Sequence, residues 1–300
     1  MLIKRMSHKA GASDLLQSLG KEFSQDKMYV LRTTERNLRM ETSEAPRRKH
    51  VADIPENLEE QADKLVGLCQ KLDLEVDQQQ ARKLVDYLVL MLKQNEVMNL
   101  TAIREWDKAL VLHLADSLVP LPEFSKVMAK NPDKQFLDMG AGAGLPGIPL
   151  TIATSNTTGV LCDSVKKKMT AVEGFIAALD LGDRLSTTSV RLEELGNTHR
   201  GVFGCVTARA LASLPVLVEY ATPLLAKGGS FIAIKGKPEP EEIKAGSKAA
   251  RLCGLSVVST RTIELPGDAG ERTIIVYEKV KETGLALPRA VGEASKHPLA

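Results

Sequence analysis

The sequence has no apolar stretch approaching the 18 or so residues needed to cross a membrane. It also has few cysteines, and no two of them form a Cys-x-x-Cys pair; they are Cys69, Cys162, Cys205 and Cys253. This spacing argues against a zinc site and against a disulfide framework. Cys162 and Cys205 lie in apolar, strand-like segments, which predicts reduced core thiols of an intracellular protein.

An excess of charge of one sign is also missing, since the formal net charge is +2. Residues 1–50 hold 11 Lys/Arg and 6 Asp/Glu, a net of +5, so the rest of the chain carries −3. With this charge, residues 51–300 do not form a strongly basic nucleic-acid-binding domain. Any RNA contact must come from local basic clusters, or from a substrate presented by a larger particle.

The first 54 residues are predicted to form a disordered extension, because they show no sustained hydrophobic periodicity. A signal peptide does not fit, since there is no apolar central region. Two alternatives stay open: a transit peptide, against which the acids argue, and a later start at Met28 or Met40. We expect a cytoplasmic protein, or an organellar one if the host is a eukaryote and this segment is a transit peptide.

The rest of the chain divides by its apolar pattern. Residues 55–130 have helical spacing, with one clear stripe: Ala81, Leu84, Val85, Leu88, Val89 and Leu92. A further helix is predicted over 107–118. Residues 131–282 alternate short apolar strands with helical segments, which predicts an α/β domain with a largely parallel sheet. Residues 283–300 form a C-terminal tail.

Seven strands are predicted in that domain, at 135–139, 159–163, 185–189, 203–207, 230–234, 255–263 and 272–279. The last two flank the turn-forming residues 266–270, which predicts an antiparallel hairpin at the sheet edge. A helix is predicted over 166–179, because its apolar residues recur at helical spacing.

The most informative segment is the run from Asp138 to Gly147, Asp-Met-Gly-Ala-Gly-Ala-Gly-Leu-Pro-Gly, between a predicted strand and a predicted helix. Such a turn at the carboxyl end of a strand is where open α/β sheets bind nucleotide-like ligands. One frame, from Gly142, reads Gly-x-Gly-x-x-Gly, the dinucleotide pattern. The other, Asp138-x-Gly-x-Gly-x-Gly, resembles the first motif of S-adenosylmethionine (SAM)-dependent methyltransferases. An acid such as Asp138 suits the cationic SAM better than a pyrophosphate.

A second acid follows the next predicted strand. Asp163 lies 19 residues after Gly144, close to the roughly 20-residue offset at which a carboxylate meets ribose hydroxyls. Its alternative role is that of a helix N-cap. The lysines at 166–168 lie in the first turn of the following helix, where cations oppose the helix dipole. They are either nucleic-acid contacts or a solvated charge run.

Several further motifs follow one another along the chain: Asn99-Leu-Thr-Ala-Ile-Arg104, His113-Leu-Ala-Asp-Ser-Leu118, Phe136 to Leu150, Leu161-Cys-Asp-Ser164 with Lys167, Arg191-Leu-Glu-Glu194, Ala208-Arg-Ala210, Ile234-Lys-Gly236 and Pro288-Arg-Ala-Val-Gly292. In this order they resemble the GidB/RsmG family of ribosomal RNA small-subunit methyltransferases. The resemblance runs from about residue 57 to the end. It implies the usual seven-stranded, Rossmann-like sheet of SAM-dependent methyltransferases and methyl transfer to N7 of a guanine in 16S rRNA.

The resemblance and the spacing together give a set of candidate SAM-binding residues: Gly140, Gly142, Leu145, Asp163, Leu192, Glu193 and Arg209. Leu192 and Glu193 are implied near the adenine, although Glu193 and Glu194 can also be read as an exposed acidic loop. Arg209 needs a partner, which is a ligand carboxylate, an RNA phosphate or a structural salt bridge.

Candidate substrate contacts are His113, Lys167 and Lys235, together with Arg209 as an RNA-positioning residue. His113 is equally well read as a helix-packing histidine. The sequence departs from the family in having Gln94 where tryptophan is usual, Leu112 where arginine is usual and Gly204 where aspartate is usual.

The expected chemistry needs no general base, because guanine N7 carries a lone pair and no proton. Accordingly no catalytic residue and no metal are predicted. The chain lacks both the Asn/Asp-Pro-Pro-Tyr segment expected of exocyclic-amine enzymes and the Pro-Cys pair expected of enzymes that attack pyrimidine rings. Two rivals stay open: a methyltransferase for a small molecule or protein, and a non-catalytic ribosome-assembly factor. We expect a monomer that binds 16S rRNA or a small-subunit precursor, and no membrane.

Overall fold

The computed structural model describes residues 53–300 of the chain. The extension predicted for the N-terminus, with its alternative as a transit peptide, therefore lies almost entirely outside the described residues. The predictions from residue 55 onward all fall within them.

Two antiparallel helices open the described part, α1 (Leu58–Lys71) and α2 (Gln78–Asn95). Helix α2 begins in a capping box, because the Asp77 carboxylate accepts from the backbone N–H of Gln80, whose side chain accepts from the N–H of Asp77. Its predicted apolar stripe is confirmed: every member is buried except Val89, which is partly buried against the same core.

The helix predicted over 107–118 is confirmed in extent but not in regularity. It consists of α3 (Trp106–Ala109), a π-helical segment (Leu110–Ala115) and α4 (Asp116–Leu118), and it is followed by α5 (Leu121–Lys130). Hydrophobic spacing does not distinguish a π-turn from an α-turn over six residues, so the π-helical segment is not predictable from the apolar pattern. π-Helical turns are frequent at functional sites.

All seven predicted strands are present: β1 (Phe136–Met139), β2 (Gly159–Cys162), β3 (Leu185–Thr188), β4 (Phe203–Arg209), β5 (Leu225–Lys235), β6 (Leu255–Glu264) and β7 (Glu271–Lys279). They form one sheet in the order β3-β2-β1-β4-β5-β7-β6. Strands β1 to β5 run parallel, while β7 is antiparallel to β5 and to the edge strand β6. The predicted α/β fold class and terminal hairpin are confirmed.

The largest boundary difference is in β5, which begins at Leu225 instead of residue 230. In the sequence, a Gly228-Gly229 pair precedes residue 230. In the structure Leu225 already pairs with Phe203, and the register then shifts before Ser230 pairs with Cys205. The glycines therefore lie in a bulge within the strand.

Helices connect the strands: α6 (Gly147–Ala153), α7 (Lys166–Ala178), α8 (Leu192–Thr198), α9 (Leu214–Ala221), α10 (Pro240–Leu252) and, in the tail, α11 (Glu293–Lys296). Neighbouring strand residues alternate between two cores, as Phe136 and Leu137 do. The N-terminal helices share one core with α6 and α7, and α9 and α10 pack in the other. The N-terminal helical region thus covers one face of the sheet.

All four cysteines are free and buried, in agreement with the expectation of core thiols. Within residues 53–300 no helix is long and apolar enough to span a membrane. The same residues contain no group of three or more His, Cys, Asp or Glu placed to hold a metal ion.

Two glycines provide a test of the packing on the β1 side of the sheet. A Cβ on Gly159 would lie 2.2 Å from the Phe136 ring, whereas a Cβ on Gly174 in α7 would meet nothing within 4 Å. We expect Gly159→Ala to lower the free energy of unfolding by about 1–3 kcal/mol, because it overpacks a strand pair. The matched control Gly174→Ala is expected to raise it by up to about 1 kcal/mol, because alanine favours the helix.

Urea unfolding of the two variants and the parent measures this difference. Equal stability of the two variants would contradict the close approach of β1 and β2 at Gly159.

Candidate functional site

The glycine turn between β1 and α6 needs glycine at three alternate positions. Gly140, Gly142 and Gly144 have φ angles of +71°, +58° and +100°, which side-chain-bearing residues rarely adopt. Gly147 has no positive φ; instead, a Cβ there would lie 2.2 Å from the Leu161 side chain. The Gly-x-Gly-x-Gly frame thus describes the backbone of the turn, and Gly147 serves close packing.

Backbone hydrogen bonds join this turn to the end of β2. The N–H groups of Gly140 and Ala141 both donate to the carbonyl oxygen of Cys162, at 2.8 and 3.0 Å. The N–H of Gly142 donates to Asp163 Oδ2 at 3.1 Å. The first predicted motif and the second predicted acid therefore meet at one edge of the sheet.

Asp163 uses its other oxygen locally, since Oδ1 accepts from the backbone N–H of Val165 at 2.9 Å. Val165, and not Asp163, is the N-cap residue of α7. The N-cap interpretation of Asp163 is therefore wrong. Its side chain is half-buried at the carboxyl end of β2, next to the turn.

Tyr87 of α2 holds the other side of the turn, and sequence reasoning missed it. Its hydroxyl donates to the carbonyl oxygen of Ala143 at 2.9 Å, and its ring is fully buried. The ring also packs edge-on against Phe175 of α7, with centroids 5.9 Å apart. In the sequence Tyr87 falls within an apolar helix, where nothing distinguishes an anchoring hydroxyl from ordinary core.

The Asp138 side chain does not face the carboxyl edge of the sheet, where the glycine turn and Asp163 meet. The sequence interpretation, which placed Asp138 there beside a cation, differs from the structure in this respect. Asp138 is fully buried, Oδ2 accepts from the N–H of Gly147 at 2.8 Å, and Oδ1 accepts from Thr207 Oγ1 at 3.0 Å. Burial raises the pKa of Asp138 to about 7, although these hydrogen bonds and the charge of Arg209 act to lower it. Asp138 supports the turn from beneath.

At the end of β4, Arg209 shares a buried carboxylate with a second arginine. Arg209 Nη1 lies 3.1 Å from Asp116 Oδ2, while Arg272 Nε lies 2.7 Å from Asp116 Oδ1. The three side chains are 13%, 7% and 16% exposed for Arg209, Asp116 and Arg272. Of the three alternatives predicted for Arg209, the structural salt bridge is therefore present, and Asp116 is its partner. One carboxylate between two guanidinium groups leaves a net positive charge, which favours an anion at this edge.

Leu112, where the family usually has arginine, reaches this cluster through its main chain. Its carbonyl oxygen accepts from Arg209 Nη1 at 3.3 Å, so the side-chain difference leaves this contact unaffected. Gly204 is a different case, because a Cβ there would lie 2.6 Å from the Cβ of Asn131. An aspartate at that position would require the segment after α5 to shift.

His113 lies in the π-helical segment and is buried. Its Nε2 is 2.9 Å from Thr101 Oγ1, and its Nδ1 has no hydrogen-bond partner within residues 53–300. Burial, and secondarily the charge of Arg209, lowers the pKa of His113 to about 4. This geometry agrees with the interpretation of a neutral packing histidine.

Asn95 holds the loop that carries Thr101. Its Oδ1 accepts from the N–H groups of Leu100 and Thr101 at 2.8 and 2.9 Å, and its Nδ2 donates to the carbonyl oxygen of Thr101 at 3.0 Å. The Asn99–Arg104 motif is thus attached to the end of α2 through Asn95 and to the π-helical segment through His113. The sequence identified the motif but not this attachment.

The two candidate lysines have different surroundings. Lys235 Nζ lies 2.8 Å from Glu242 Oε1 and donates to the carbonyl oxygen of Ala212 at 3.0 Å, so its charge is largely balanced. Lys167 is exposed in the first turn of α7, four residues after Asp163. It has no ion pair among the described residues.

The remaining candidates lie beside the same edge. Leu145 is buried in the turn, and Leu192 is half-buried at the start of α8, just after β3. Glu193 is 6% exposed, and its Oε1 accepts from the N–H of Gly292 in the C-terminal tail at 2.8 Å. The exposed-loop interpretation is therefore wrong for Glu193, while Glu194 is exposed and caps α8 through the N–H of Arg191.

The carboxyl ends of β1 to β4 thus bring together a glycine turn, the acid Asp163, an apolar residue and a positively charged cluster. A turn whose glycines carry no side chains, next to a carboxylate, fits a nucleoside. The positively charged Arg209–Asp116–Arg272 cluster fits the carboxylate group of a ligand. With the sheet order, this arrangement defines the class of the protein as an α/β methyltransferase of the SAM-dependent type.

Comparison with known families gives the particular family. The model of GidB, rRNA small subunit methyltransferase G, matches residues 80–274. The chain belongs to the GidB family.

Curated relatives agree with that membership. The chain is similar to "Ribosomal RNA small subunit methyltransferase G" of Desulfitobacterium hafniense, at 38% identity over 77% of this chain and 94% of the relative. It is 39% identical to the protein of the same name from Geobacillus kaustophilus, over 71% of this chain and 88% of the relative. Among solved structures, an O-methyltransferase from Bacillus cereus in complex with SAH has 16% identity and a TM-score of 0.48, over 72% of this chain and 99% of its own.

The raised pKa of Asp138 predicts a pH dependence of stability. The folded protein keeps this proton up to about pH 7, whereas the unfolded chain loses it near the ordinary aspartate pKa of 3.8. Between these values the folded state binds more protons, so rising pH favours unfolding. Asp138→Asn keeps an oxygen acceptor for Gly147 but cannot ionise.

We therefore expect the stability of the parent relative to Asp138→Asn to fall as the pH rises from 5 to 8. Urea unfolding of both proteins at each pH measures it. A difference that stays constant or grows would show that Asp138 is already ionised in the folded state at pH 5.

Proposed function

We propose that this chain transfers the methyl group of SAM to N7 of a guanine in small-subunit (16S) ribosomal RNA. The observation that carries the proposal is the GidB match over residues 80–274, which includes every strand whose carboxyl end forms the site. The names of the relatives point to the same activity.

The residues at the sheet edge fit SAM part by part. Gly140, Gly142 and Leu145 supply the turn, and Asp163 has carboxylate lone pairs left for the ribose hydroxyls after its two backbone contacts. The Arg209–Asp116–Arg272 cluster has a net positive charge, and through Arg209 it attracts the methionine carboxylate of SAM or an RNA phosphate.

Leu192 offers an apolar wall and a backbone amide at the adenine end. Glu193 contributes there through its main chain, because its carboxylate is bonded to Gly292.

The chemistry requires positioning more than proton transfer. SAM supplies an electrophilic methyl group, and guanine N7 already carries a free lone pair. Asp138 and His113, whose pKa values are strongly shifted near the site, are both buried and hydrogen-bonded within the protein. Alignment of the reactants contributes up to about 7–11 kcal/mol in favourable cases, without a base.

For the RNA, we propose Lys167 as a direct phosphate contact, because it is exposed four residues after Asp163. Lys235 is a weaker candidate, since Glu242 already balances its charge. His113 acts through Thr101 on the loop of the Asn99–Arg104 motif and does not touch the substrate. We further propose a monomer that acts in the compartment where its ribosomes assemble, which is the cytoplasm in a bacterium.

Mapping of 7-methylguanosine in small-subunit rRNA, with and without this protein, tests the function. We expect one guanine to lose its methyl group in the absence of the protein and to regain it when the purified protein and SAM are added to the rRNA or subunit. Unchanged rRNA methylation would favour a small-molecule or protein substrate. If calorimetry also shows no SAM binding, the protein is a non-catalytic assembly factor.

Removal of Arg209 tests the charged cluster. Arg209→Ala leaves Asp116 paired with Arg272, so the fold should persist. We expect kcat/KM for methylation to fall by about a hundredfold or more, as is typical when one member of a buried charge contact is truncated.

The matched control is Arg261→Ala. It removes a comparable ion pair, between Arg261 of the edge strand β6 and Glu123 of α5. It should leave kcat/KM unchanged. Equal activities of Arg209→Ala and the parent would exclude Arg209 from the site.

A further inference from the structure

The C-terminal tail runs alongside α8 in the opposite direction, with three points of contact. Arg200, just after α8, donates to the carbonyl oxygen of Leu287 at 2.5 Å. Near the middle of α8, a Cβ on Gly196 would lie 3.3 Å from the Pro288 ring. At the start of α8, Glu193 accepts from the N–H of Gly292 at 2.8 Å. As the tail advances, its contacts move back along the helix toward Leu192.

The same tail is firmly attached to the neighbouring helix α9. Arg289 donates from Nε and Nη2 to the two carboxylate oxygens of Glu219, at 2.7 and 2.6 Å, and Glu219 is 2% exposed. Ser295 Oγ lies 3.2 Å from the Tyr220 hydroxyl, and Ala294 is buried. A bidentate pair with a buried carboxylate fixes orientation as well as position.

Helix α8 is held by the core on one side, where Leu195 packs and Gly196 lies against Pro223, and by the tail on the other. It has seven residues, and a helix of this length is only marginally stable without tertiary contacts. Of its residues, Glu193, Leu195 and Gly196 are buried. Two of these three, Glu193 and Gly196, meet the tail. The position of Leu192, which opens the helix at the carboxyl edge of the sheet, therefore depends on the tail as well as on the core.

We propose that the C-terminal tail is a positioning element for SAM, which acts through the Gly292–Glu193 hydrogen bond to hold Leu192 against the adenine. Glu193 is thus a positioning residue whose carboxylate faces away from the ligand. This inference rests on the proposed function, because it assumes that Leu192 lines the adenine end of a SAM site.

The test is a cycle of two changes in the otherwise complete protein: Glu193→Ala, and truncation after Ala290, which removes Gly292. Each is expected to raise the Kd for SAM about five- to tenfold, the effect of one hydrogen bond. At saturating SAM, kcat should be unchanged. Since both changes break the same contact, the double variant should bind SAM no more weakly than the truncated protein.

Two further variants act as controls. Glu193→Gln keeps the oxygen that accepts from Gly292 and should bind SAM like the parent. Thr283→Ala removes a hydrogen bond from the tail region to the Leu252 carbonyl of α10, away from α8, and should also leave the Kd unchanged. If the truncated protein does not fold, the comparison of Glu193→Ala with Glu193→Gln still decides the matter.

Calorimetric titration with SAM distinguishes the outcomes. Additive effects of the two changes, or equal losses in Glu193→Ala and Glu193→Gln, would mean that Glu193 affects SAM binding by a route other than its contact with Gly292 and would overturn the proposal. So would an unchanged Kd in Glu193→Ala. A parent protein that binds no SAM would instead refute the proposed function.

Discussion

The buried carboxylate of Asp138 joins the three elements on which the site depends. It lies on β1, accepts the N–H of Gly147 where α6 begins, and accepts the Thr207 hydroxyl from β4. A carboxylate without solvent is costly unless its lone pairs are used, so these contacts tolerate little displacement. The glycine turn that leaves β1 and re-enters at α6 is therefore held at both ends, and its remaining backbone is presented at the carboxyl edge of the sheet.

Around that edge, parts of the chain that are distant in sequence act as supports. Tyr87 from the N-terminal helices holds Ala143 of the turn, and Asp116 of the helical segment pairs with Arg209 of β4. From the other side of the sheet, the tail meets α8 through Gly292. The helical region and the tail thus each act on the site, and neither is an appendage to the sheet.

The sequence predicted the sheet well, because strand and helix periodicities are local properties. All seven strands, the hairpin and the helix after Asp163 were found within a few residues. The site was predicted only in part. Asp163 and Arg209 lie at the edge as expected, but Asp138 is buried beneath it and Glu193 points to the tail. Spacing places a carboxylate at a strand end without specifying to which side of the turn its oxygens are directed.

By itself the sequence determined the fold class, the glycine turn and the family resemblance, because these depend on residue order and on backbone conformations that only glycine adopts readily. Which partners neutralise the charges was decided only by the tertiary structure. Asp116 and Arg209 are far apart in the chain, as are Glu193 and Gly292, and their pairing follows from how helices and strands pack. Hydrogen bonds and ion pairs act over a few ångströms in space, and the sequence alone gives no such distances.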